Sequence, residues 1–237
     1  MKNVDIYMAS LWRNGHLAKT INSLLKNPEV KTITAICNYY NNEQIKIINE
    51  NIHHNSKVKL IKGNNLKGCD ERFKYSKKGT ARYIAVCDDD IIYPEGYLKK
   101  MIKAANKYKT IISLHGRTLK KERATNFYEH ADKMYHCRKE LNQDVEVDVL
   151  GAGVCLFERS ILNIDNLYRL IKYPNMGDIY LSYYAKVKGL KMIVIQHPKE
   201  YVQAKPVEDG DNYIYARHRF DCQIQTDFIN ELFLGYE

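Results

Sequence analysis

The 237-residue chain lacks the patterns by which many metal, disulfide and nucleotide proteins announce themselves. Its six cysteines, Cys37, Cys69, Cys87, Cys137, Cys155 and Cys222, are scattered, with no Cys-x-x-Cys pair. That spacing excludes a zinc ribbon or a small disulfide framework. Cys37, Cys87 and Cys155 fall inside apolar runs and read as small core residues. No stretch approaches the roughly 20 apolar residues that span a bilayer, and the opening MKNVDIYMAS carries no signal-peptide pattern, so a cytoplasmic protein is expected. The Gly-x-Gly-x-x-Gly dinucleotide fingerprint and the Walker A lysine loop are both absent, which removes the commonest NAD and ATP readings. With no repeat, low-complexity tract or linker, one domain over residues 1–237 is expected.

Long runs of charge are missing too. Thirty-seven Lys plus Arg against twenty-eight Asp plus Glu leave a formal charge of +9, yet the basic residues are dispersed, in pairs such as Lys77-Lys78 and Lys120-Lys121. The excess favours a polyanionic partner, whether nucleic acid, an anionic membrane surface or a phosphorylated substrate, without choosing among them. A solvated Lys-rich surface accounts for it equally well.

What the chain does have is YIAVCDDDIIYP, Tyr83 to Pro94: an apolar run ending in Asp88, Asp89 and Asp90. A short apolar run before a turn suits a strand covered on both faces. In an open α/β sheet, ligands sit beyond the carboxyl ends of the strands. Three adjacent acids repel one another, and a divalent metal with hard oxygen ligands offsets them economically. The plainer reading, an Asp-rich loop capping the next helix, suits a lone Asp better than three at a strand end.

Around this stretch, strand and helix alternate. Val4 to Ser10, Thr32 to Asn38, Val58 to Ile61 and the Tyr83 run read as strands; Asn14 to Lys26, Glu43 to Asn51 and Asp70 to Ser76 read as helices. That order implies a parallel sheet. A helix over Glu95 to Tyr108 and a strand over Thr110 to Leu114 follow. Residues 116 to 144 are irregular, and Val145 to Phe157 reads as one strand interrupted by Gly151 and Gly153, a sign of a bulge or of close backbone approach to a ligand. Asp178 to Lys188 is expected as a helix, Leu190 to Ile195 as a strand, and about Gln225 to Phe233 as a final helix. The polar segment 199 to 219, with Gly210 as a hinge and Lys205, Arg217 and Arg219 as cations, has the texture of a lid or of a basic tail.

RYIAVCDDDIIYPEGYLKKMI, the Gly-x-Gly of VLGAGVCLF and GDIYLSYYAKVKGLKMIVIQHP, in that order, resemble the nucleotide-sugar glycosyltransferases of the GT-A fold. The likeness is to the inverting type grouped with family 2 and covers most of the chain from Asp5 to about His197. It implies a Rossmann-like, mixed but mainly parallel central sheet flanked by helices. Residues 1–115 would form the nucleotide-sugar half, 116–198 the acceptor half, and 199–237 a lid and C-terminal helix. It further implies Mn²⁺ or Mg²⁺ at Asp90, with Asp88 and Asp89 on ribose, sugar or metal. His197 is the histidine ligand, with His218 competing, although a surface histidine before Pro198 reads as well. Donor contacts are expected from Ala9, Ser10, Arg13, Asn38 and Tyr39, and from Asp70 and Arg72 in GCDERF, which a surface salt bridge between those two would also explain. Tyr39 or Tyr40 would stack on a pyrimidine. Gly151 and Gly153 would let the backbone approach sugar or acceptor. Asp178 takes the place of the catalytic base, in a Gly177-Asp178 pair where relatives carry Glu-Asp; it also suits an N-cap, where the helix dipole would hold it ionised.

The expected partners are a nucleotide-sugar donor, UDP-linked first, and a glycan or lipid-linked glycan acceptor, with peripheral contact at an inner membrane surface. Nucleic acid is not expected, because clustered acids repel phosphate when no metal is present. Two rival readings are a sugar nucleotidyltransferase, for which SLWRNGHLAK is a poor phosphate loop, and a non-catalytic basic binding module, to which Tyr39-Tyr40, Tyr213 and Tyr215 would lend aromatic surface.

Overall fold

A computed structural model describes residues 2–12, 16–204 and 221–236. Arg13, His218, Tyr213, Tyr215 and residues 205–219 of the expected lid lie outside that range.

The first half alternates as its pattern demands: β1 (Val4–Leu11), α1 (His16–Leu25), β2 (Val30–Asn38), α2 (Asn42–Asn51), β3 (Val58–Gly63), α3 (Glu71–Ser76) and β4 (Tyr83–Cys87). β5 (Ile91–Ile92), α4 (Tyr97–Tyr108), β6 (Ile111–Ser113), β7 (Gly116–Leu119) and β8 (Ala131–Tyr135) follow. The chain continues through β9 (Val145–Glu146), β10 (Val149–Leu150), β11 (Val154–Glu158), α5 (Ile164–Leu170), α6 (Gly177–Val187), β12 (Met192–Val194), β13 (Gln203–Ala204) and α7 (Gln223–Ile229). A π-helical turn, Asn230–Leu234, extends α7.

The large sheet has the order β3-β2-β1-β4-β11-β6-β12-β9. β3, β2, β1 and β4 run parallel, β11 is antiparallel to both β4 and β6, and β9 is antiparallel to β12. The sheet is therefore mixed and mainly parallel, not the all-parallel sheet that the alternation alone suggests. The irregular stretch 116–144 supplies a hairpin, β7 with β8, completed by β10 into a small antiparallel sheet.

Two-residue periodicity sorts β4 onto two cores. Tyr83, Ala85 and Cys87 face the cluster built with Leu17, Ile21, Ile48, Leu98 and Met101 of α1, α2 and α4. Ile84 and Val86 face the other, with Phe73, Leu167, Ile179 and Leu181 of α3, α5 and α6. A strand covered on both faces leaves no polar position until its end, which is why the run reads as continuously apolar.

Val145 to Phe157 is not one strand. β9 pairs in the large sheet, β10 crosses to the small one, and β11 returns to lie beside β4. Gly151 and Gly153 allow close packing here because they carry no Cβ: one at 151 would press on the His115 ring, and one at 153 would run into the Asp88 carboxylate.

Candidate active site

From β1 the chain steps outward through β2 to β3, then returns to place β4 on the other side of β1. Such a reversal opens a crevice beyond the carboxyl ends of the strands. Here it holds a cleft of about 680 Å³, lined by Ala9, Ser10 and Leu11 from β1, Asn38 from β2, Asn65, Cys69, Arg72, Asp88, Asp89 and Asp90. Its other wall is His115, Arg117, Phe127, Tyr128, Met134, His136, Asn175 to Ile179 and Gln225. That volume suits a drug-sized or cofactor-sized ligand.

The three acids have three different surroundings. Asp88 accepts a 2.7 Å bond from the Arg72 guanidinium, which also approaches the Cys87 carbonyl at 3.5 Å. Asp89 accepts from the Ser10 hydroxyl, which lies 2.7 Å from the Tyr40 hydroxyl, and its carbonyl accepts from Thr20 at 2.9 Å. Asp90 lines the cleft. Arg72, 2% exposed, thus supplies a cation to the cluster from inside the protein. Burial disfavours its charge, but Cys69, Asp88, Asp70 and Asp178 more than offset this and hold it protonated. Its Nε is buried without a hydrogen-bond partner. A buried Arg72 therefore pairs with a partly exposed Asp88 at the cleft, and the surface bridge to Asp70 is not what forms.

Asp70 does not face the cleft. Its side chain is fully buried, accepting from the Met176 N–H at 3.0 Å and the Cys69 thiol at 3.4 Å. Burial raises it from 3.8 to about 6, against the opposing pull of Arg72. Met176 is the N-cap of α6, so Asp70 caps that helix from a distant segment and is not a base or ribose contact. Gly177 fits the same packing, since a Cβ there would collide with the Asp70 carboxylate.

Asp178 is the second residue of α6 and does not cap its own helix. Its Oδ1 accepts the Ala152 N–H at 2.9 Å, between the two glycines. Solvent reaches the carboxylate through the cleft while protein encloses it elsewhere. Burial raises its pKa, with Arg72 and the Ala152 N–H opposing and Asp88 assisting. The direction is opposite to the lowering expected of a carboxylate at a helix start. A carboxyl moved towards neutrality is a better proton acceptor at its working pH.

Four other expectations change. Tyr39 is 71% exposed, with φ of 60°, and is not part of the cleft lining. Tyr40 does not present a stacking face; it packs edge-on to Trp12 at 5.3 Å and spends its hydroxyl on Ser10. Gly151 and Gly153 make room for His115 and Asp88 and do not line the cleft. His197, 3% exposed, turns its Nδ1 to the Ile195 carbonyl at 2.7 Å and its Nε2 to the His136 carbonyl at 3.4 Å, away from the cleft. Ala9, Ser10, Asn38, Arg72, Asp88, Asp89, Asp90 and Asp178 do come together. Asn38 is occupied locally, accepting from the Asn65 N–H at 3.1 Å.

Several lining residues went unnoticed in the sequence. His115 lies two residues past the end of β6, so the strand-end rule applied to that strand would have found it. Burial, assisted by His136, lowers its pKa to about 3 and keeps it neutral. Arg117, Phe127, Tyr128 and His136 come from a stretch with no periodicity to read.

The carboxylates fit a divalent ion. Asp90, with the second oxygen of Asp88, offers the hard oxygen donors that Mg²⁺ and Mn²⁺ take.

A switch-point cleft with acids on one lip and a helix-borne carboxylate opposite is the architecture of a GT-A transferase. The model of Glycosyl transferase family 2 matches residues 6–164, and the chain belongs to that family. It is a glycosyltransferase, working on a nucleotide-sugar donor and a glycan acceptor, in a family whose members commonly use divalent metals. The nucleotidyltransferase and binding-module readings fall away. No curated protein matches the chain.

Proposed function

We propose that this enzyme moves a sugar from a UDP-linked donor to a hydroxyl of a glycan or lipid-linked glycan, in one displacement with inversion. The observation that carries this reading is the meeting of Asp88, Asp90 and Asp178 in one cleft, with Arg72 buried beneath them. Mg²⁺ or Mn²⁺ held by Asp90 and Asp88 would supply Lewis-acid stabilisation of the departing diphosphate. Asp178 accepts the proton of the acceptor hydroxyl as its oxygen bonds to the anomeric carbon. The bond from that carbon to the diphosphate oxygen breaks, and the nucleoside diphosphate leaves with the electron pair. The transition state is oxocarbenium-like, as in glycoside hydrolysis. Arg72 holds Asp88 in place, and Ser10 holds Asp89. The donor lies against Ala9, Ser10 and Asn38; the acceptor enters past Arg117, Phe127 and Tyr128. Residues 1–115 form the donor half and 116–198 the acceptor half of one domain.

Calorimetric titration with UDP, GDP and dTDP tests this, each with Mn²⁺, with Mg²⁺ and with EDTA, on the wild type and Asp90→Ala. Metal-dependent binding of UDP that disappears in the variant is expected. Preference for another base would replace the donor assignment, and no binding under any condition would overturn the metal-assisted reading.

A further inference from the structure

On the cleft's second wall, His115, His136 and Cys137 bring one ligand atom each to within 4.8 Å of one another. The two imidazoles meet edge to face, ring centroids 5.0 Å apart, and both line the cleft, with Cys137 buried beside them. The His115 ring lies over Gly151, where a Cβ would displace it. Among the described residues nothing forms a hydrogen bond to that ring. The His136 ring has one long contact, from the Arg138 N–H to Nδ1 at 3.2 Å. These side chains are drawn together without satisfying one another. Burial, assisted by Asp88 and Glu200 and opposed by Arg138, pushes the Cys137 thiol up to about 11.

Two imidazoles and a thiol are a borderline-soft donor set, unlike the hard oxygens of the three acids. Such sets select Zn²⁺ over Mg²⁺ or Ca²⁺. We propose that His115, His136 and Cys137 form a second metal site of Zn²⁺ class, separate from the aspartates, with three protein ligands and a fourth position for water or a cleft ligand. Binding releases the Cys137 thiol proton to solvent. The ion ties the loop after β8 to the end of β6, and so fixes the acceptor wall. The assignment does not depend on the donor or on the stereochemical course of transfer.

The test uses the reduced, EDTA-stripped full chain in excess Mg²⁺, titrated with Co²⁺ as a spectroscopic substitute. One equivalent should bind, with a thiolate-to-cobalt band in the near ultraviolet and the visible bands of four-coordinate Co²⁺, both abolished by Zn²⁺. Cys137→Ser should lose the near-ultraviolet band, His115→Ala should weaken binding at least about tenfold, and Asp90→Ala should retain both. A wild type with no such band, a full band in Cys137→Ser, or its loss in Asp90→Ala would overturn the site. X-ray absorption of the wild type loaded with one Zn²⁺ needs no variant to fold. A shell containing sulfur and imidazole supports the assignment; one of oxygen and nitrogen alone overturns it.

Discussion

At the scale of single residues, the site depends on which carboxylates are engaged and which are exposed to the cleft. Asp178→Asn keeps the shape and can still accept the Ala152 N–H, but it cannot take a proton. General-base catalysis contributes about 10²–10⁴-fold, so kcat should fall by that order while nucleotide affinity is unchanged; a loss under threefold would remove Asp178 from the role. Gly153→Ala acts differently. Its Cβ would push the Asp88 carboxylate off Arg72, and displacements of about 1 Å near reacting atoms cost on the order of 100-fold. Steady-state kinetics on a variant with a native circular dichroism spectrum checks this. Asp178 was legible in the sequence as a carboxylate at a helix start. Its hydrogen bond to Ala152 was not, because that partner lies 26 positions away.

At the scale of elements, α6 is held by a residue that it does not contain. Asp70 keeps its proton to about pH 6, whereas in an unfolded chain it loses it near 3.8. Between those values the folded state binds more protons than the unfolded one, so stability falls as pH rises through the window and the loss is complete above it. The difference is on the order of 3 kcal/mol. Asp70→Asn should flatten this fall, read as the urea midpoint from about pH 4 to about pH 7; an unchanged slope would assign the fall to other groups. A second anchor is Asp5 in β1, buried and accepting from Arg159 at 2.9 Å, the Ala81 N–H at 2.8 Å and Thr32 at 2.7 Å. Asp5→Ala leaves the buried Ala81 N–H without its acceptor, while Arg159 keeps the Ala81 and Ser76 carbonyls, and should cost roughly 1–3 kcal/mol by denaturant unfolding, with a loss below about 0.5 kcal/mol counting against Asp5 as an anchor. The alternating elements of the first half were readable because each buries one face at its own period. The mixed strand β11 was not, since an antiparallel insertion leaves the same apolar signature as a parallel one.

At the scale of the whole molecule, +9 on 237 residues has to be placed somewhere. No helix among the described residues is long and apolar enough to cross a membrane. A lipid-linked acceptor at an anionic surface would give the charge a use, at about 1 kcal/mol per lysine or arginine brought near the surface. Sedimentation with anionic liposomes at low salt, fading as salt rises, is the expected result; no sedimentation at any salt would leave the charge to solubility alone.

The sequence by itself determined the order of the elements in the first half, the buried β4 strand and the acids at its tip, because burial period and turn chemistry are local. It also determined the family, whose matched residues end at 164, before Asp178. Tertiary structure alone decided which acids face the cleft. Arg72 takes Asp88 and Ser10 takes Asp89 across 16 and 79 positions, while Asp70 turns inward to cap α6. It also brought His115 and His136 to the cleft wall and turned His197 away from it. A side chain's partner in the core is set by which strands are neighbours, and strand order is not a local property.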